Sequence, residues 1–239
     1  MRVFAERQPL VAMAALAFVV LNNALASLMF LAIYRFDLGA FADPGALVDR
    51  GQGAADALRL AALIDMVGYL ALAPVVVYLH GRLEAAASES VLPLWPARLL
   101  TFCGLAFVLV GALGAVLMAS VGPALLQAAG GGAAVEAAAR VAFGALANGV
   151  YVGLWGTLEL MLYGLWLIGV AWLVRAEGRA FAWLGAVGGF GALAYSVRTG
   201  LSGRTPAEMT GPLDIVIFGA VGLGVAWVVW LSARLWLGR

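Results

Sequence analysis

The sequence predicts an all-α fold, a six-transmembrane-helix bundle forming one integral membrane domain over residues 1–239, with short interfacial helices on the outer side. Three observations carry this. The chain is 64% hydrophobic and 11% charged, with a mean hydropathy of +1.02. A soluble domain carries about 25% charged residues. One of this size also exposes too much area for its volume to hide so much apolar surface, so lipid is the expected solvent. The apolar residues are gathered into windows near the ~20 residues that a membrane-crossing helix needs. Charged or Pro/Gly-bearing stretches separate those windows.

The expected spans are 10–35, 57–79, 98–121, 151–174, 180–200 and 213–236. The first should open after Pro9, which suits a first helical turn, and close at Phe36-Asp37. Its start, MRVFAERQ, an apolar run and Ala24-Leu25-Ala26, has the outline of a signal peptide. The apolar SLMFLAIY (27–34) follows without a polar break, so the segment is expected to be retained. The longest connection, 37–56, holds several aspartates, and Asp43-Pro44 reads as the cap and first turn of a short surface helix. Pro74 should kink the second span. Residues 133–150 read as a helix too polar to span, leading into the fourth span from the interface. In the fifth span, Gly185 and Gly189 form a small-xxx-small pair, read as close packing within the bundle.

Arginine placement gives an orientation. With both termini cytoplasmic, the inner side receives Arg2, Arg7, Arg82, Arg98, Arg175, Arg179, Arg234 and Arg239. The outer side receives Arg35, Arg50, Arg59, Arg140, Arg198 and Arg204. The excess is inward, which favours that orientation in a bacterial inner membrane.

Absences exclude much chemistry. All 14 basic residues are arginine, so no lysine Schiff base can form. Cys103 is the single cysteine and His80 the single histidine. A disulfide, a dithiol centre, a bis-His haem and a His-rich metal site are therefore excluded within the chain. There is no HExxH and no Walker motif. No cofactor or metal is expected. A net charge of +1 argues against a nucleic-acid partner. The expected partners are the lipid bilayer, a second copy in a homodimer, or other membrane proteins.

The informative residues are the acids inside apolar runs, Asp65 in LIDMVGYL and Glu159 in LELMLYGL. A carboxylate at a helix centre costs about 2.5 to 3.5 kcal/mol on insertion scales, so such a group should face the bundle interior or a wet cavity. Asp65 lies about 12 Å along its span at 1.5 Å per residue, and Glu159 enters from the same side to similar depth. Each acid is followed four residues on by a tyrosine, Tyr69 and Tyr163, one helical turn away. LIDMVGYLALAPVVVYLHGR aligns with LELMLYGLWLIGVAWLVRAE, which suggests a repeated helical hairpin. The first span adds Asn22 and Asn23; Arg59 heads the second and Arg198 lies near the outer end of the fifth. Two readings stand. In one, Asn22, Asn23, Arg59, Asp65, Tyr69, Glu159, Tyr163 and Arg198 line an outward-facing polar cavity that takes a small molecule, a cation or a proton. In the other, the acids pair with Arg59 or Arg198 and the amides cross-link helices. His80 reads as a helix-end residue at the inner face.

The stretch ALRLAALIDMVGYLALAPVVVYLHGRL, through Arg59, Asp65, Tyr78 and Leu79, resembles the second-helix signature of the bacterial membrane proteins of domain of unknown function 4386. The fourth-to-fifth hairpin is similar to the same family through Gly164, Arg175, Gly178, Leu184, Gly185 and Tyr195. ANGVYVGLWGTLEL keeps Tyr151 but lacks the histidine that the family often carries there. The resemblance implies a six-helix membrane domain and no known activity. Three functions follow as expectations: a small transporter or binding protein using Asp65 and Glu159, a structural or regulatory subunit, or a membrane-embedded enzyme acting on lipid. No catalytic set stands out for the third.

Overall fold

The computed structural model describes residues 2–36, 43–88, 95–204 and 208–236. Helices α1 (Arg2–Ile33), α2 (Gly51–Ser88), α3 (Trp95–Ala128), α4 (Ala133–Asn148), α5 (Leu160–Leu173), α6 (Arg179–Ser202) and α7 (Pro212–Trp236) account for nearly all of them. Among the described residues there is no strand. Six helical stretches among the described residues are long and apolar enough to cross a membrane, because α4, the segment Gly149–Glu159 and α5 run on as one.

The helices overrun the expected windows. α1 begins at Arg2 and passes through Pro9, which removes one backbone N–H without ending the helix. α2 starts at Gly51 and continues through Pro74 to Ser88, so His80 is inside the helix and not at its end. Its Nδ1 lies 2.7 Å from the Thr101 hydroxyl, which ties α2 to α3, and its Nε2 lies 3.3 Å from Glu84, one turn further along α2 itself. The expected surface helix after Asp43 is a 3₁₀ turn, Pro44–Arg50, with Pro44, Gly45, Leu47 and Val48 buried. It packs on α4, and Arg140 of α4 pairs with Asp49. Residues 37–42 of the expected outer connection lie outside the described residues.

α1 closes through consecutive left-handed residues, Arg35 (φ 54°) and Phe36 (φ 59°). Such a turn leaves helix carbonyls without partners. The Arg50 guanidinium supplies donors to the carbonyls of Ile33 and Tyr34.

Neighbours follow in the order α1, α2, α3, α5, α6, α7, with α7 returning to α1. The core is shared at the end that carries the termini. There Leu16, Val75, Val76, Phe107, Trp166, Leu167, Phe181, Trp227 and Leu231 belong to one cluster drawn from six helices. At the far end the core divides. Tyr34, Leu58, Met118, Phe143 and Val150 form one part, Tyr195, Met209 and Ile217 another. No residue of α1 belongs to the second part.

The small residues at helix contacts work within this bundle. Gly185 lies against Trp227 of α7, and Gly189 against Gly164 and Ile168 of α5. The pair therefore serves two different neighbours within the chain.

Candidate functional site

The polar side chains sit where the shared core gives way to the divided one. On α1 the shared core ends at Leu16 and the far part begins near Met29; Asn22 and Asn23 fall between. On α2 the far part ends at Ala62 and the shared core begins at Tyr69; Asp65 falls between. On the fourth stretch the far part ends at Trp155 and the shared core begins at Leu160; Glu159 falls between. α3 contributes Gly111 and Gly114 at the same level.

The Tyr69 hydroxyl donates to both carboxyl oxygens of Glu159, at 2.9 and 3.1 Å. α2 barely touches either α5 or the preceding segment Gly149–Glu159 through the backbone, so this bridge is made by the side chains. Gly111 lets it pass: the Tyr69 ring lies against its Cα, where a methyl group would overlap the ring. Phe107 meets Tyr69 edge to face, with centroids 6.0 Å apart, and on its other side packs on Tyr163 at 5.1 Å. Glu159 is 6% exposed, so its carboxyl depends on this donor.

Asp65 is one turn before Tyr69, the residue that holds Glu159. Among the described residues, no hydrogen bond or ion pair holds its carboxylate. The neighbouring carbonyl, that of Ile64, accepts from the Asn22 amide at 2.6 Å. Gly68 makes room for this, since the amides of Asn22 and Asn23 occupy the space that a side chain there would need. Asn22 is buried and Asn23 exposed.

Glu159 is delivered by an unusual backbone. Gly149–Glu159 is an eleven-residue π-helical segment. π turns are mostly single and frequent at functional sites. The wide winding is supported from outside. The Thr157 hydroxyl donates to the Val152 carbonyl at 2.6 Å, five residues back. Ser196 of α6 donates to the Thr157 carbonyl at 2.6 Å, and the Trp155 indole to the Gly111 carbonyl at 3.1 Å. The segment also places Trp155 between Tyr151 (5.5 Å) and Phe30 of α1 (6.4 Å), which walls the site toward the far end.

Asn22, Asn23, Asp65, Tyr69 and Glu159 thus come to one level, with Tyr163 buried behind Phe107. Two expected members lie elsewhere. Arg198 pairs with Asp214 at the start of α7 and does not meet either acid. Asp214 is 3% exposed and also accepts from the Gly211 backbone N–H at 3.0 Å, so the turn between α6 and α7 fixes both partners. Arg59 lies 3.6 Å from Asp56, its i−3 neighbour, on an exposed face of α2. The expected pairing of the acids with these arginines is therefore not formed, whereas the expected cross-linking by Asn22 is. Tyr151, Trp155 and Thr157 also belong to the site, though none of them is among the expected site residues; the π winding that assembles them has no compositional signature. Among the described residues, no group of three or more His, Cys, Asp or Glu side chains could hold a metal ion.

No family model matches the chain, and no curated protein or solved structure matches it. The fold and the site define an all-helical bundle of six long apolar stretches with an acid–tyrosine pair at mid-depth.

Proposed function

We propose that the chain is a multi-pass protein of the bacterial inner membrane, with both termini cytoplasmic, that binds a small cation or proton at Asp65 and Glu159. One observation carries this reading: two acids share a level of the bundle, and only one of them has a partner. Tyr69 holds Glu159, while Asp65 has no hydrogen bond or ion pair among the described residues. Ionisable groups inside apolar helices are expensive and tend to mark ion or proton pathways. An unpartnered carboxylate beside a partnered one can take up and release a cation without dismantling the bundle. The division of the core beyond this level supports access from the far, outer side. The resemblance to domain of unknown function 4386 remains a proposal about ancestry and adds no activity.

The test is reconstitution of the full chain into liposomes with a trapped pH-sensitive dye. A pH step, or a sodium or potassium gradient, should move protons or cations in the wild type and not in Asp65→Asn. Equal fluxes in both, or none in either together with no cation- or proton-dependent carboxyl signal by infrared difference spectroscopy, would remove the reading. A second reading, a structural subunit, is favoured by one feature. Asn22, Trp155 and Ser196 all use their polar atoms to join helices.

A further inference from the structure

α6 presents an exposed face along its length, and two grooves run beside it. Toward the end that carries the termini, a groove of about 370 Å³ lies between α5 and α6, walled by Ile168, Ala171, Ala186 and Phe190. Toward the far end, one of about 870 Å³ lies between α6 and α7, walled by Leu193, Val197, Leu201 and Ile217. Phe190, 58% exposed, borders both. Each groove is apolar along its length and ends in arginine, Arg175 and Arg179 at the first, Arg198 and Arg204 at the second. α6 has 24 residues, a length of about 36 Å at 1.5 Å per residue. A bilayer's hydrocarbon core is about 30 Å thick, so the two ends of α6 reach headgroup depth on opposite sides.

The groove between α5 and α6 has the clearer charge. Among the described residues, no acidic one lines it. Among the described side chains, neither Arg175 nor Arg179 has a carboxylate partner, whereas Arg198 of the other groove is neutralised by Asp214. The Arg175 guanidinium sits 4.0 Å from the Trp172 ring centroid, which holds it at the groove mouth. Trp183, 68% exposed, also lines the groove.

We propose that this groove binds one anionic phospholipid, with the phosphate between Arg175 and Arg179 and an acyl chain along Ala186 and Phe190. Charge complementarity selects the headgroup. A zwitterionic lipid brings an ammonium toward two guanidinium groups, while an anionic one brings none. The apolar walls select the tail, since a free anion would leave them unfilled. Basic pockets between membrane helices are a recurrent seat for acidic headgroups. The inference rests on the membrane reading of the chain and is independent of the acid site.

The experiment uses the full chain in bilayer nanodiscs of phosphatidylglycerol and phosphatidylcholine with equal tails, followed by native mass spectrometry of retained lipid. The wild type should retain phosphatidylglycerol over phosphatidylcholine by at least about fivefold, the effect of a single arginine at an acidic surface. The double variant Arg175→Gln/Arg179→Gln should lose the preference. Ala186→Phe, which fills the groove and keeps both charges, should lose the retained lipid. Arg98→Gln, at the same end of the molecule and outside the groove, should behave as wild type. Equal retention of the two lipids, an unchanged preference in the double variant, an equal loss in Arg98→Gln, or displacement by excess inorganic phosphate would each overturn the site. A chain that stays soluble and enters no bilayer would instead overturn the membrane reading itself.

Discussion

Tyr69 and Glu159, 90 residues apart, are joined by a hydroxyl that donates to both oxygens of one buried carboxyl. Polar contacts between membrane helices average only about 0.6 kcal/mol. This one should exceed that average, because Glu159 is 6% exposed and water cannot replace the donor. Leaving a buried polar group unsatisfied costs about 1–3 kcal/mol. Tyr69→Phe keeps the ring against Phe107 and Gly111 and removes only the donor, so it should destabilise by about that amount. Cys103, buried and free, gives the readout: a thiol-reactive dye reports its exposure as the detergent-solubilised protein is heated. A melting curve unchanged from wild type would mean that the carboxyl is satisfied in another way.

The same bridge makes a second prediction at the glycine beneath it. Gly111→Ala would place a methyl inside the Tyr69 ring, although alanine is the better helix former. Overpacking typically costs about 1–3 kcal/mol, more than the ~1 kcal/mol of helix propensity gained. The net should be destabilising. Gly222 on α7 has open space where its Cβ would go, so Gly222→Ala should be neutral or stabilising by up to about 1 kcal/mol. The thiol-exposure melt of the two variants side by side checks the sign of each.

For Asp65 the expected stability effect is the reverse of the functional one. No partner is lost when its carboxylate becomes an amide, and the cost of placing a charge among apolar helices is removed. Asp65→Asn should therefore melt at or above the wild-type temperature while losing cation or proton uptake. A destabilisation of more than about 1 kcal/mol would show that the carboxylate is a structural partner, since that is the net worth of an ordinary hydrogen bond.

The parts of this arrangement that were legible in the sequence are those that break a pattern. An acid in an apolar run is conspicuous, and its turn-related tyrosine follows from helical spacing, so Asp65, Tyr69 and Glu159 could be named. The helix count was legible for the same reason. The helix limits were not, because lipid-length windows say nothing of helix that continues beyond them. α2 runs to Ser88 on residues that are neither apolar enough to span nor rich in breakers, whereas the helix expected from residue 133 does open at Ala133. Arg198, expected beside the two acids as a lining residue or as their partner, lies elsewhere for a tertiary reason. Its partner, Asp214, is brought to it by the turn between α6 and α7, and a chain scan sees only that both are charged. The repeat suggested by the matched Asp–Tyr and Glu–Tyr pairs is not matched in backbone. Asp65 lies on an α-helix and Glu159 on a π-helical segment, so equal spacing gives unequal facing.

The Arg198–Asp214 pair is asymmetric, and its variants should be too. The Asp214 side chain is 4% exposed and that of Arg198 37%. Removing the arginine strands a buried carboxylate, whereas removing the acid leaves a guanidinium that can reach water. Arg198→Met, which keeps the stem, should therefore destabilise by about 3 kcal/mol, the low end for breaking a buried pair because Arg198 is partly exposed. Asp214→Asn, which keeps an acceptor for the Gly211 N–H, should cost about 1 kcal/mol. A double-mutant cycle read by the same melt measures the coupling; equal single effects would mean that the acid is hydrated.

The π-helical segment predicts an unusual tolerance to deletion. In an α-helix each hydrogen bond spans four residues, and losing one residue rotates everything beyond it by about 100°. A π turn spans five, so losing one residue there converts a π turn into an α turn and leaves both flanks facing as before. Gly153 is the natural place, being exposed with open space around its Cα. Deleting Gly153 should give a folded protein in which Glu159 still meets Tyr69, whereas deleting Leu165 from α5 should not. The check is whether Tyr69→Phe costs the same in the Gly153-deleted background as in the wild type. An unchanged cost means that the bridge survives and that the extra winding lies between Asn148 and Glu159. A vanished cost means that the π register itself aims Glu159 at Tyr69.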